Sequence, residues 1–185
     1  GELQWMTAGR GIVHSEMPLQ KEGLMKGFQL WVNLHSDEKM QPPRYKDIKA
    51  SDITFIEEGS TRIKLIAGNY KEYKGPIQGL TTELDYFDIS ISEDPFSFIG
   101  DREKNYFLYP FEGEIEVDDE TLSSRNGICF SGPIKITTRN QSRFLLIGGK
   151  PLFEPIFQYG PFVMNTKQEI LQAMEDFQSG SFGKQ

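Results

Sequence analysis

The chain has 185 residues, of which 37% are hydrophobic and 25% charged, with a formal net charge of −7. That balance buries a core in one large domain or two small ones and excludes a disordered chain. Its 20 basic residues are scattered rather than drawn into a stripe, so direct nucleic-acid binding is not expected.

No stretch approaches the ~20 apolar residues that a membrane-spanning helix needs. The opening residues from Gly1 to Gly9 have neither the basic start nor the apolar run of a signal peptide. They also lack an initiator Met and begin inside a strand pattern, as expected of a chain whose upstream part is missing. The single cysteine, Cys129, cannot close an internal disulfide. It sits in the apolar run Gly127–Phe130, where a small buried hydrophobe is expected. One buried thiol suits a reducing compartment, which points to the cytoplasm or nucleus.

In chain order, Leu3–Met6 reads as a short strand and Ala8–Gly11 as a turn. Ile12–Met17, a loop over Pro18–Gly27, and the partly alternating Phe28–Leu34 follow, the first and last as strands. Met40–Pro43 is a linker, because consecutive prolines cannot continue a ladder. Eight short strands are then expected, at Ile53–Glu57, Arg62–Ala67, Leu84–Ser92, Asn105–Tyr109, Glu112–Val117, Gly127–Phe130, Ile134–Thr138 and Phe144–Ile147. Their spacing fits a sandwich or barrel of jelly-roll type. At the end, Thr166 and Glu169 form a capping box. Ile170, Leu171, Met174 and Phe177 share a helical face, and Gly180 is placed to end the helix. Ser181–Gln185 should fray. The expected divisions are residues 1–38, 39–160 and 161–185.

There are two histidines. His14 and Glu16 lie two apart, so on a strand they face the same side. An imidazole and a carboxylate so placed suit Fe(II), Mn(II) or Zn(II), although most such pairs are surface or structural. Gly9 and Gly11 would allow a sharp turn leading into the pair. His35, at the edge of an acidic loop, reads as an exposed loop residue. No histidine follows Pro42, which excludes a histidine-rich metal site in the second domain. Acidic residues there fall in turns such as Ser92–Pro95 and Val117–Glu120. Gly148-Gly149-Lys150 precedes Pro-Leu-Phe rather than a helix and reads as a turn. No nucleophile elbow, phosphate loop or Cys-x-x-Cys pair is present.

The run Gly1–Pro18 resembles the signature of the pirin family, and Gly27–Leu34 and Lys39–Tyr45 continue the likeness. Gly149–Pro155 and Gly160–Thr166 resemble that family's closing motifs, whereas Ser51–Arg143 resembles it in strand pattern more than in residues. The resemblance implies an all-β double cupin of jelly-roll barrels, with an incomplete N-terminal barrel here and one C-terminal helix. It implies one iron, Fe(II), held by three histidines and a glutamate in the N-terminal barrel. His14 and Glu16 match two of those four ligands; the other two belong to an upstream His-x-His motif absent from this sequence.

The family activity is quercetin 2,3-dioxygenase-like, with Glu16 in the position of a catalytic base. Whether this chain is an enzyme is left open, since half its ligands are missing and the metal can be absent. The alternatives are a metal-linked transcriptional co-regulator that binds a transcription factor, and a non-catalytic remnant or scaffold. An incomplete barrel also implies self-association, or a partner chain that completes it.

Overall fold

The computed structural model of the chain describes residues 2–17, 22–118, 120–124 and 126–183. Part of the expected loop over Pro18–Gly27, and the last two residues of the expected frayed end, lie outside them. In chain order the elements are β1 (Leu3–Thr7), α1 (Ser36–Lys39), β2 (Arg44–Ile48), β3 (Thr54–Glu58), β4 (Thr61–Ala67), β5 (Asn69–Tyr70), β6 (Tyr73–Lys74) and β7 (Asp85–Ile91). They continue with β8 (Phe96–Ile99), β9 (Asn105–Glu112), β10 (Glu114–Val117), β11 (Glu120–Ser123), β12 (Ile128–Phe130), β13 (Pro133–Thr137) and β14 (Ser142–Gly149). β15 (Phe157–Tyr159), β16 (Phe162–Met164) and α2 (Lys167–Ser179) close the chain.

Two compact units result. The first comprises residues 1–3 and 47–151, the second residues 4–46 and 152–185.

The first unit is all-β. A six-stranded antiparallel sheet in the order β12-β9-β14-β7-β4-β3 faces a four-stranded one in the order β11-β10-β13-β8. Strand alternation explains why both faces meet in one core. On β13 Ile134 and Ile136 turn inward, on β8 Phe96 and Phe98, and on β4 Ile63 and Leu65. Phe87 is fully buried between Tyr70 and Phe98, its ring 6.0 Å and 5.7 Å from theirs in edge-on contacts. Each such side chain contributes about 1.5–3 kcal/mol by leaving water.

One charged pair lies at the end of the larger sheet. Lys104 Nζ donates to Asp85 Oδ2 at 2.8 Å, and the Tyr106 hydroxyl donates to the same oxygen at 3.1 Å. Burial pushes the Tyr106 phenol far above its ordinary value. It therefore stays a hydroxyl that donates to Asp85 while accepting from Asp101 N at 3.0 Å.

Two sequence expectations are corrected in this unit. Cys129 is exposed, not buried. Its neighbours Ile128 and Phe130 pack on the core, and a period of two sends the residue between them to the other face. Gly148 and Gly149 end strand β14 rather than forming a turn. A side chain at Gly148 would collide with the Tyr106 ring, so the glycine makes room for that aromatic.

The second unit holds Gln4–Thr7 of β1, Arg44–Lys46 of β2, the hairpin β15–β16, and α2. The capping box is formed: Thr166 Oγ1 accepts from Glu169 N at 3.2 Å, and Glu169 Oε2 accepts from Thr166 N at 2.7 Å. Gly180 adopts the left-handed cap, with φ of 73°. Ile170 is the buried residue of α2, whereas Leu171 and Phe177 are half exposed.

The residues after the helix do not fray over the described range. Ser181 N and Phe182 N both donate to Asp176 O, and the rings of Phe162, Phe177 and Phe182 pack together at 5.6–6.3 Å. Ile12–Met17 and Phe28–Leu34 carry no strand, contrary to expectation. Alternation marks a segment that can pair, and among the described residues neither segment has a neighbour that completes a ladder.

Candidate metal-ligand segment

Two glycines set the path into the segment that carries His14 and Glu16. Gly11 N donates to Ala8 O at 3.0 Å, closing the expected turn, and Arg10 N donates to Gln41 O at 2.9 Å. Gly9 has a φ of 52°, and a Cβ there would strike the Gln41 carbonyl. Gly11 has a φ of 129°, and its Cβ would lie 2.5 Å from the Phe182 ring. Only glycine fits either position. The tail aromatic thus lies directly on the turn from which the segment departs.

Beyond the turn, Val13 to Met17 are all exposed, His14 and Glu16 among them. Both oxygens of Glu16 accept from Gln29 Nε2, at 3.3 Å and 3.4 Å. Gln29 was invisible to sequence reasoning, because no local pattern ties it to a residue 13 positions earlier. Gly11, Ile12, Val13, Pro43, Phe177 and Phe182 border an open, largely apolar cleft of about 410 Å³.

The donor set is one imidazole and one carboxylate, the types that Fe(II), Mn(II) and Zn(II) accept. Among the described residues no group of three or more His, Cys, Asp or Glu is gathered into a metal cluster. The two residues fit such an ion in kind, and they leave its other positions to water or to further donors.

His35 is not the exposed loop residue that its acidic surroundings suggest. It caps α1, its Nδ1 accepting from Asp37 N at 3.4 Å, while Nε2 lies 3.0 Å from Glu154 Oε1. Glu154 gathers further donors from Ser36 N at 2.9 Å, Ser36 Oγ at 2.6 Å and Asn165 Nδ2 at 3.0 Å. Hydrogen bonding by the Ser36 hydroxyl is the main cause that holds this carboxyl below its ordinary range, with Asn165 and the nearby imidazole adding to it. Lys39 is buried alongside and donates to Val163 O at 3.1 Å. Burial lowers its pKa, and the Glu154 and Glu169 carboxylates pull it partly back. His35 therefore belongs to a clasp within the second unit, not to the metal-ligand segment.

Of the two acidic turns, Ser92–Pro95 behaves as one, whereas Asp119 of Val117–Glu120 lies outside the described residues. Asp94 accepts from Ser60 N at 3.1 Å, and Ser60 Oγ accepts from Asp94 N at 2.8 Å.

Comparison with known proteins places this architecture. The family described as Pirin matches residues 1–32, and the Pirin C-terminal cupin domain matches residues 86–183. A pirin-like protein of Caulobacter vibrioides is 39% identical, over 98% of this chain and 68% of its own length. Human pirin is 35% identical, over 99% of this chain and 66% of its own length. The crystal structure of quercetin 2,3-dioxygenase from Acinetobacter baumannii matches with a TM-score of 0.83 at 29% identity, covering 99% of this chain and 67% of its own. The chain spans about two thirds of the length of each of these relatives. With both ends and the cupin body accounted for, this chain is a member of the pirin family.

Proposed function

We propose that the chain contributes two ligands, His14 and Glu16, to the iron site of a quercetin 2,3-dioxygenase-type cupin. The observation that carries this reading is the exposed pair of donors two residues apart, delivered by a turn that only glycines can make. The pair lies within the stretch that matches the pirin family, and the likeness to a quercetin dioxygenase supports the reaction class.

Bound iron would supply Lewis acidity toward a flavonol hydroxyl and a redox partner for dioxygen. The chain's own residues have simpler tasks. His14 offers a neutral imidazole nitrogen as ligand. Glu16 offers one oxygen as ligand and the other as a base for the flavonol hydroxyl proton. The cleft beside Ile12, Val13 and Phe182 offers an apolar wall to a planar ring system.

Two protein ligands hold an ion far less tightly than four. The chain by itself is therefore expected to bind iron weakly and not to turn over quercetin. The test is metal content of the purified chain by mass spectrometry beside His14→Ala, with oxygen uptake on added quercetin and Fe(II). Iron in the wild type that is lost in the variant supports the reading. Background metal in both proteins even after equilibration with excess Fe(II) would end it.

A second reading is supported by a different observation. Val13, Met17, Leu24, Met25 and Trp31 are 61–78% exposed. So many large apolar side chains within a short stretch suit a protein-binding face, which a second copy of the chain could cover. Light scattering on a size-exclusion column tests it, and a monomer at tens of micromolar would rule it out.

A further inference from the structure

We propose that Gln29 is the positioning residue of this site, holding the Glu16 carboxylate in the orientation that metal binding requires. The inference rests on the reading of Glu16 as a ligand. Gln29 Nε2 lies 3.3 Å from Oε1 and 3.4 Å from Oε2 of Glu16, so a single amide NH₂ straddles both carboxylate oxygens. The two residues sit on segments that carry no strand, and no ladder fixes one against the other. Their side-chain bridge is what ties the rotamer of Glu16 to the second segment.

The chemistry of the donor matters. A lysine or arginine at position 29 would neutralise the carboxylate and repel an incoming cation. A neutral amide orients Glu16 and leaves its whole negative charge to the metal. A carboxylate has about four lone-pair sites, so two weak bonds from Gln29 leave room for a metal–oxygen bond. Hydrogen bonds of this kind to a ligating group typically change metal affinity about 10- to 100-fold. They act by limiting the rotamers that the free ligand would otherwise sample. Gln29 and Glu16 are both exposed, so removing the amide leaves no buried group unsatisfied.

The experiment is a Mn(II) titration followed by the free-ion EPR signal, on the wild type, Gln29→Met, Gln29→Ala and His14→Ala, with thermal melts of each protein without metal. Methionine keeps the length of glutamine and removes the amide group, donor and acceptor together, which separates hydrogen bonding from packing. The expected result is a Kd weakened about 10- to 100-fold in both Gln29 variants, with melting temperatures unchanged. An unchanged Kd in Gln29→Met, with binding abolished in His14→Ala, would overturn the role of Gln29 and leave the ligand pair standing. A loss of affinity matched by a loss of melting temperature would make Gln29 structural and likewise overturn it. Absence of Mn(II) binding by the wild type would remove the ligand reading, and this inference with it.

Discussion

Glu154 holds Ser36 across 118 positions of sequence, accepting from its backbone N–H at 2.9 Å and its hydroxyl at 2.6 Å. His35 and Asn165 converge on the same carboxylate. One side chain thus closes the second unit by joining its early and late segments. Glu154→Ala would strip an acceptor from four donors at once. Amides of α1 and of β15–β16 should then exchange with deuterium faster, while those of β7 and β14 keep their protection. Equal exchange in variant and wild type at Ser36 would mean that the clasp contributes nothing.

The same carboxylate sets a pH response. Its pKa in the folded chain lies below the ordinary 4.5, chiefly through the Ser36 hydroxyl. The unfolded chain therefore binds this proton more readily, and the stabilisation is present above pH 4.5 and lost as pH falls through the folded value. Lys39 acts at the other end of the scale. Burial depresses its pKa below 10.5, so the cost of its buried charge is relieved as pH rises from the folded value toward 10.5. Melting curves taken downward from about pH 5 should show a loss that Glu154→Gln lacks. Parallel curves for the two proteins would reject Glu154 as the titrating group.

Asp85 and Lys104 form a buried pair, with side chains 9% and 10% exposed. Removing one partner of such a pair leaves an uncompensated charge, at a typical cost of about 3–5 kcal/mol. Lys104→Ala should lower stability by that amount in urea denaturation. Lys104→Met combined with Asp85→Leu should recover most of it, because a well-packed apolar pair avoids the desolvation of both ions. The recovery should fall short by about 1 kcal/mol, since the Tyr106 hydroxyl loses an acceptor. A double variant as unstable as the single one would show that the pair is worth more than its desolvation cost.

The body of the fold was legible wherever a local pattern and its tertiary use agree. Arg62–Ile66 and Asp88–Ser92 alternate in sequence, and in the structure Ile63, Leu65, Ile89 and Ile91 all face the core. The capping box of Thr166 and Glu169 was readable because a cap is local chemistry. Failures fell where the outcome depends on something far along the chain. Strands were expected at Ile12–Met17 and at the partly alternating Phe28–Leu34, but a ladder needs a neighbour. Arg44–Ile48 was missed as a strand because it is polar and mostly exposed. Cys129 was read from the polarity of its run rather than from the parity of its position on a strand.

Of the candidate site, His14 and Glu16 were singled out by the family resemblance, because a two-residue spacing alone is shared with many surface pairs, and their role as ligands is a proposal. Gln29, Glu154 and Phe182 act through contacts between distant segments, which no window of sequence contains. The closing motifs that resemble the family take on a physical meaning here. Gly149–Pro155 supplies Glu154 and Gly160–Thr166 supplies Asn165, the two halves of one hydrogen-bonded clasp.

Phe182 and Gly11 offer the sharpest test of how the tail supports the ligand segment. Gly11 N–H closes the turn, its φ of 129° suits glycine alone, and the Phe182 ring occupies the space a Cβ would need. Gly11→Ala therefore meets two separate penalties. Backbone strain of this kind costs about 1–3 kcal/mol, and the displaced ring loses its packing on Phe162 and Phe177. Phe182→Ala relieves the second penalty but not the first. The two changes should be less than additive in a double-mutant cycle, with a coupling of about 0.5–3 kcal/mol as expected for residues in contact. Mn(II) affinity should fall in Gly11→Ala, because His14 lies three residues beyond the distorted turn. Full additivity would mean that the tail does not rest on the turn in solution, and His14 would then owe its placement to the turn alone.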